Sequence, residues 1–249
     1  MSKLKEVLQN KKSFIAFLTA GDPDAESTVK YILELERAGA DLIEIGIPFS
    51  DPTAEGPVIQ EANIRALQGG MTTDKVFNIV EQVRKKSQVP LAFMTYLNPV
   101  FHYGYDRFLA RCQELGVSGV ILPDLPFEEK PEVAETARKY GVDVVSLIAP
   151  TSHERVRMIA AEAEGFIYIV SSMGVTGVRS NINTDIHTMV EMIREVTDTP
   201  CAVGFGIKTP EQAKRMAELS DGVIVGSAIV HIIAEHGKEA AGPLYEYVK

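Results

Sequence analysis

The chain is short of cysteine, of basic charge and of long apolar runs, and each shortage removes a class of function. Its two cysteines, Cys112 in a helical pattern and Cys201 at the start of an apolar run, form no pair motif and read as buried free thiols. Lysine and arginine number 25 against 34 aspartates and glutamates, a net charge of -9. The basic residues cluster nowhere, which argues against a nucleic-acid or anionic-membrane surface. No apolar run approaches the roughly 18 residues of a membrane span. The start, MSKLKE, lacks the apolar block of a secretion signal, so a cytoplasmic protein is expected. No Gly/Ser-rich or Pro-rich linker, charge block or low-complexity run interrupts the sequence, and residues 1–249 are expected to form one domain with a large core.

What is present is a repeat of strand and helix. Short apolar segments recur at 14–19, 42–47, 91–95, 119–123, 142–149, 166–170, 201–205 and 222–225. Between them, segments such as 27–37, 75–86, 106–115, 133–140 and 210–219 show helical spacing, and several end at a glycine (Gly39, Gly116, Gly141) as helix C-caps do. Repeated β-then-α units require parallel pairing with right-handed crossovers. Eight such units in a chain of this length predict an α/β fold, the (β/α)8 or TIM barrel. An open doubly wound sheet competes, but no G-x-G-x-x-G opens the first helix after a strand, and eight repeats favour closure. Leu4, Val7 and Leu8 add an N-terminal amphipathic helix predicted to cap one end of the core. Long loops follow strands 2 and 6, the first carrying an additional helix at 58–67.

One acid stands out. Glu44 lies inside the β-branched run 42–47, where alternation puts Leu42, Glu44 and Gly46 on one face and Ile43, Ile45 and Ile47 on the other. A structural role would require a buried basic partner, and no predicted strand contains lysine or arginine. Between apolar neighbours, the carboxyl is expected to hold its proton near neutrality and act as a donor. Asp51 and Glu55 follow in the next loop, so three carboxylates gather at one strand's C-terminal end, where a barrel of this kind builds its site. Asp22 and Asp124, each close to a proline, read first as turn or capping residues, and Asn98-Pro99 reads as a turn. The five histidines show no ligand spacing.

Glycines supply the remaining signal. Gly206 follows strand 7, and Gly226 with Ser227 opens a helix after strand 8, where free backbone N–H groups and the helix dipole favour a phosphate. The glycine-rich stretch 172–181 reads as a lid. Neither a Schiff-base lysine nor a histidine metal set is visible at the strand ends. A carbon–carbon cleavage run on carboxylates alone must use an electron sink already in the substrate, leaving the protein to move protons.

The segments EIGIPFSDPTAEGPVIQ, FLTAGDP, GVTGVRS, GFGI and VGSAIV resemble the α subunit family of tryptophan synthase over essentially the whole chain. The resemblance implies a barrel that cleaves indole-3-glycerol phosphate to indole and glyceraldehyde 3-phosphate without metal or organic cofactor. It further implies an αββα complex with a β subunit that carries pyridoxal phosphate (PLP). By this resemblance Glu44 is the general acid/base and Glu55 stands where an aspartate usually accepts the indole N–H bond. Gly177, Gly206, Gly226 and Ser227 match the phosphate site, and Thr176 in the lid touches the loop bearing Glu55. Phe17, Tyr96, Ile148, Phe205 and Ile224 match the indole pocket, with Tyr168 beside the acid. Asp51 and the Asn98-Pro99 loop fall on the face toward the β subunit. Two further departures are Thr53 for a common leucine and Ser172 where some members have arginine. The alternatives are a lyase that works alone and releases indole, a non-catalytic barrel that activates a partner, and another phosphosugar barrel.

Overall fold

The computed structural model describes residues 2–9, 11–170, 182–204, 207 and 209–249. Eight strands, β1 (Ser13–Thr19), β2 (Leu42–Gly46), β3 (Leu91–Met94), β4 (Val117–Ile121), β5 (Asp143–Ile148), β6 (Ile167–Val170), β7 (Cys201–Gly204) and β8 (Gly222–Val225), pair in parallel with their sequence neighbours, and β8 closes on β1. At one end lies α1 (Lys3–Leu8), and around the strands lie α2 (Ala25–Ala38), α3 (Pro57–Gln68), α4 (Thr73–Arg84), α5 (Leu97–Tyr103), α6 (Tyr105–Glu114), α7 (Lys130–Lys139), α8 (His153–Ala161), α9 (Ile182–Arg194), α10 (Pro210–Leu219), α11 (Ser227–His236) and α12 (Ala241–Val248). This is the (β/α)8 barrel that the strand-and-helix repeat predicts. Among the described residues no helix is long and apolar enough to cross a membrane.

Strand alternation sorts the core into two layers. Ile15, Phe17, Leu42, Met94, Ile121 and Tyr168 pack together inside the barrel, whereas Leu18, Ile43, Ile45, Phe93, Ile169 and Val203 pack outward under the helices. Helix α1 plugs one end, as its apolar spacing predicts: Leu4 and Leu8 join the inner cluster. A Cβ on Gly119 would fall 2.4 Å from Leu4 Cδ1, so a glycine at that point of β4 makes room for the plug.

Side-chain donors and acceptors seal the same end. Asp41 accepts the Phe14 N–H at 2.8 Å, and Asp221 accepts the Cys201 N–H at 2.7 Å, each at a strand start. Arg84, the last residue of α4, donates from Nε to Leu115 O (2.8 Å), from Nη1 to Val89 O (2.8 Å) and from Nη2 to Gly116 O (3.0 Å). One guanidinium thus satisfies the carbonyls that lead into β3 and β4.

One local expectation is corrected and two are extended. Asn98-Pro99 is not a turn but part of the first turn of α5, where proline is tolerated because that N–H has no intrahelical partner. Asp124 does more than shape its own turn, since its carboxylate accepts the Leu97 N–H at 2.9 and 3.1 Å and so caps α5 from the following loop. Asp22 is buried and bridged to Arg65 of α3 by two bonds of 2.9 and 2.8 Å, while Asp24 caps α2 by accepting from Ser27 N at 2.8 Å.

Arg84→Ala leaves several strand-leading carbonyls without a donor. It is expected to cost about 2–3 kcal/mol, on the order of 2–4 °C in the thermal midpoint for each. The opposite end of the barrel keeps its geometry, a division that thermal unfolding alongside a substrate-site assay checks.

Candidate active site

The site is built on β2. In register, Glu44 lies between Phe17 of β1 and Ala92 of β3, on the inward face it shares with Leu42 and Gly46. Its side chain is fully buried, and neither carboxylate oxygen has a hydrogen-bond partner among the described residues. Burial alone pushes the carboxyl up from an ordinary 4.5 to about 8, because apolar walls penalise the charged form. The group is therefore mostly protonated at neutral pH, as the strand pattern predicts.

Tyr168 of β6 stands close enough for the Glu44 charge to act on it. Burial first, and that charge second, hold its phenol above the ordinary value. A Cβ on Gly204 would lie 2.3 Å from the Tyr168 hydroxyl oxygen, so β7 passes here only because this position has no side chain. Phe17 is framed in the same way. A Cβ on Gly46 would fall 2.8 Å from its ring, and one on Gly226 would fall 3.1 Å away.

Glu55 enters from the loop between β2 and α3. Asn63 of α3 donates from Nδ2 to Glu55 Oε2 at 2.6 Å, and Gln60 donates from Nε2 to the Glu55 carbonyl at 2.8 Å. Burial pushes the Glu55 carboxyl up to about 7, with the Asn63 and Tyr96 side chains acting against it as donors to the ionised form. The Tyr96 hydroxyl also accepts the Ala54 N–H at 3.0 Å, and its ring packs 5.4 Å from that of Phe49.

Phe17, Met94, Tyr168 and Ile224 of the strands, with Ala54, Glu55, Ile59, Ile207, Gly226 and Ser227, line a cleft at the strands' C-terminal end. It contains about 480 Å³ free of protein atoms, part of it open to solvent. Glu44 adjoins two of the wall residues without itself lining the cleft. The first turn of α11, with Gly226 as N-cap and no side-chain capping bond, opens onto this space and presents the positive end of the helix dipole.

The cleft thus brings together Glu55, Phe17, Tyr168, Ile224, Gly226 and Ser227 of the residues singled out in the sequence. Gly177, Gly206, Phe205, Thr176 and the rest of the lid stretch lie outside the described residues. Ile148 requires correction. It belongs to the outer layer beneath the helices, because on β5 it is Val145 and Leu147 that pack with the inner cluster. Those two residues line a groove that continues from the cleft over β4 and β5. Tyr96 is also absent from the cleft wall; β3 ends at Met94, and the tyrosine supports the Glu55 loop from behind. Met94, Ile59, Ile207 and Asn63 were not singled out. Strand alternation from Ala92 points to Met94, and Ile59 and Ile207 lie within the segments EIGIPFSDPTAEGPVIQ and GFGI, but nothing in the local sequence marks Asn63.

Comparison with known proteins bears on the same architecture. A family model described as Tryptophan synthase alpha chain matches residues 1–247. The tryptophan synthase alpha chain of Lacticaseibacillus casei is 51% identical over 249 residues, covering 100% of this chain and 94% of the relative. That of Lactiplantibacillus plantarum is 50% identical over 250 residues, with coverage of 100% and 94%. Among solved structures, tryptophan synthase subunit alpha from Legionella pneumophila str. Paris superposes with a TM-score of 0.89 at 39% identity, covering 100% of this chain and 96% of that one. A chain of the tryptophan synthase a2b2 complex of Pyrococcus furiosus gives 0.85 at 39% identity, with 95% of each chain covered. A family model spanning nearly every residue, and relatives sharing half of their residues with it end to end, make this chain a member of the tryptophan synthase alpha chain family.

Proposed function

We propose that the chain is a cytoplasmic carbon–carbon lyase that cleaves indole-3-glycerol phosphate to indole and glyceraldehyde 3-phosphate by a retro-aldol step. The observation that carries this reading is Glu44, a carboxyl held neutral inside an apolar barrel and bordered by two residues of the cleft wall. The indole ring packs against Phe17, Met94, Tyr168 and Ile224, and the phosphate takes the N-terminus of α11 at Gly226 and Ser227. By the family resemblance, Gly177 and Gly206 belong to the phosphate site as well, and Thr176 is the lid residue assigned to the loop bearing Glu55.

Protons balance within the site. Glu44 gives its proton to the ring carbon that bears the glycerol side chain, which removes the ring's aromatic stabilisation and leaves the nitrogen with cationic character. Ionised Glu55 accepts the N–H hydrogen bond and offsets that charge. The glycerol hydroxyl next to the ring then loses its proton to the Glu44 carboxylate as the carbon–carbon bond breaks, its electrons return to the ring, and the aldehyde forms. Glu44 ends as it began. The subunit uses neither a metal nor an organic cofactor in this scheme, and PLP is expected only in the partner.

That partner is a tryptophan synthase β subunit in an αββα assembly. The Pyrococcus furiosus relative is a subunit of an a2b2 complex, and Phe101 of α5, 64% exposed beside Asn98-Pro99, offers this chain an apolar anchor on the face that includes Asp51.

Indole release from indole-3-glycerol phosphate, measured with and without a β subunit, tests the reading. The wild-type chain is expected to turn over and to be stimulated by the β subunit. Glu44→Gln is expected to bind substrate yet lose about 100- to 10,000-fold in turnover; unchanged turnover in that variant would sink the assignment. The pH profile of kcat/KM is expected to rise through about 7 as Glu55 ionises and to fall through about 8 as Glu44 loses its proton. Stability follows the opposite logic. The folded chain holds the Glu44 proton between an ordinary 4.5 and about 8, so its contribution is complete at low pH and is lost as pH rises through that window. The thermal midpoint of Glu44→Gln should therefore gain on that of wild type from pH 5 to about pH 8 and level off above it.

A further inference from the structure

We infer that Asn63 is a positioning residue for the reaction: its side-chain amide holds one oxygen of Glu55 so that the other is presented to the substrate's N–H. The inference rests on the lyase reading above.

Three features carry it. Asn63 is buried, 4% exposed, so its amide does not exchange freely with water, and its Nδ2 lies 2.6 Å from Glu55 Oε2. The same helix grips the backbone of that residue through Gln60, 2.8 Å from the Glu55 carbonyl, so carboxylate and main chain are fixed to one rigid element. That element is tied in turn to the barrel. Two residues along α3, Arg65 forms its bidentate pair with buried Asp22, just beyond β1. Position thus passes from strand β1 through Asp22 and Arg65 to α3, and from there through Asn63 to the carboxylate.

The chemistry suits the task. A carboxylate that must accept a hydrogen bond from the substrate has to be ionised and correctly turned, and burial works against the first requirement. An amide donor favours the ionised form without adding a competing charge, whereas a lysine or arginine would neutralise the carboxylate needed opposite the cationic ring. With Oε2 held by Asn63 and the Tyr96 hydroxyl also donating to the ionised carboxylate, the group is held against rotation about its terminal torsion, and its remaining acceptor lone pairs are left for the ligand.

The test exchanges one methylene between the two side chains. Steady-state kinetics with indole-3-glycerol phosphate across pH would compare wild type, Asn63→Leu, Glu55→Asp, Asn63→Gln and the double variant Glu55→Asp/Asn63→Gln. Losing a hydrogen bond to a charged group is expected to lower kcat/KM by roughly tenfold to a hundredfold in Asn63→Leu. Its effect should fall on kcat more than on KM, and the acidic limb of the profile should move to higher pH. Shortening the acid while lengthening the amide rebuilds the contact. The double variant is therefore expected to recover most of the loss of Glu55→Asp alone and to return the limb toward its wild-type position. An unmoved limb in Asn63→Leu, or losses that simply multiply in the double variant, would overturn the assignment. Should Asn63→Leu fold poorly, the recovery in the double variant decides. Failure of the lyase reading looks different: wild type releases no indole, or Glu44→Gln matches it, whatever Asn63 does.

Discussion

The rest of the site depends on the removal of water from around one carboxyl. Among the described residues Glu44 has neither a cation to pair with nor a donor to satisfy it, and its environment acts on it through desolvation. In water the same group would be ionised and useless as an acid at neutral pH. The surrounding barrel provides the apolar medium, and for that reason the inner cluster, with Phe17, Leu42, Met94 and Tyr168 around β2, is part of the chemistry as well as of the core. Glu55 shows the complementary design. It is also lifted by burial, but less so, because two donors on α3 and β3's following segment favour its charged form. Two acids of one type are thereby separated in protonation by their surroundings.

The two ends of the barrel divide the labour. At the end where strands begin, α1 fills the interior, and Asp41, Arg84 and Asp221 meet backbone groups that lead into strands. The other end leaves the barrel open, exchanges strand side chains for loops, and keeps the N-terminus of α11 uncapped by a side chain. Side chains that tie strand-leading backbone groups gather at the first end, whereas the buried oxygens of Thr19 and Thr95, unpartnered among the described residues, lie at the second.

How much of this is legible in the sequence depends on the range of the interaction. The barrel follows from local pattern repeated eight times, and Glu44 is conspicuous because an acid in a β-branched run contradicts its neighbours. Ile148 is misjudged by one step of alternation: the run 142–149 is apolar on both faces, so its phase is set only by pairing with β4 and β6. Tyr96 fails for a related reason, since alternation stops where β3 stops. Asp22 and Arg65 meet across 43 positions, and Asn63 and Glu55 meet through the turn into a helix. Neither partnership leaves a mark in composition or spacing. Pro99 shows the reverse, a residue read as part of a turn that lies in the first turn of a helix.

The ring of Phe17 occupies room surrendered by Gly46 on β2 and Gly226 at the end of β8. Three staves therefore share a single allotment of space: a methyl gained by either glycine must be subtracted from the phenyl, and a smaller residue at 17 leaves a void that neither glycine can fill. A side chain at Gly46 would press on that ring from 2.8 Å and one at Gly226 from 3.1 Å, so a change at either position is felt first at 17.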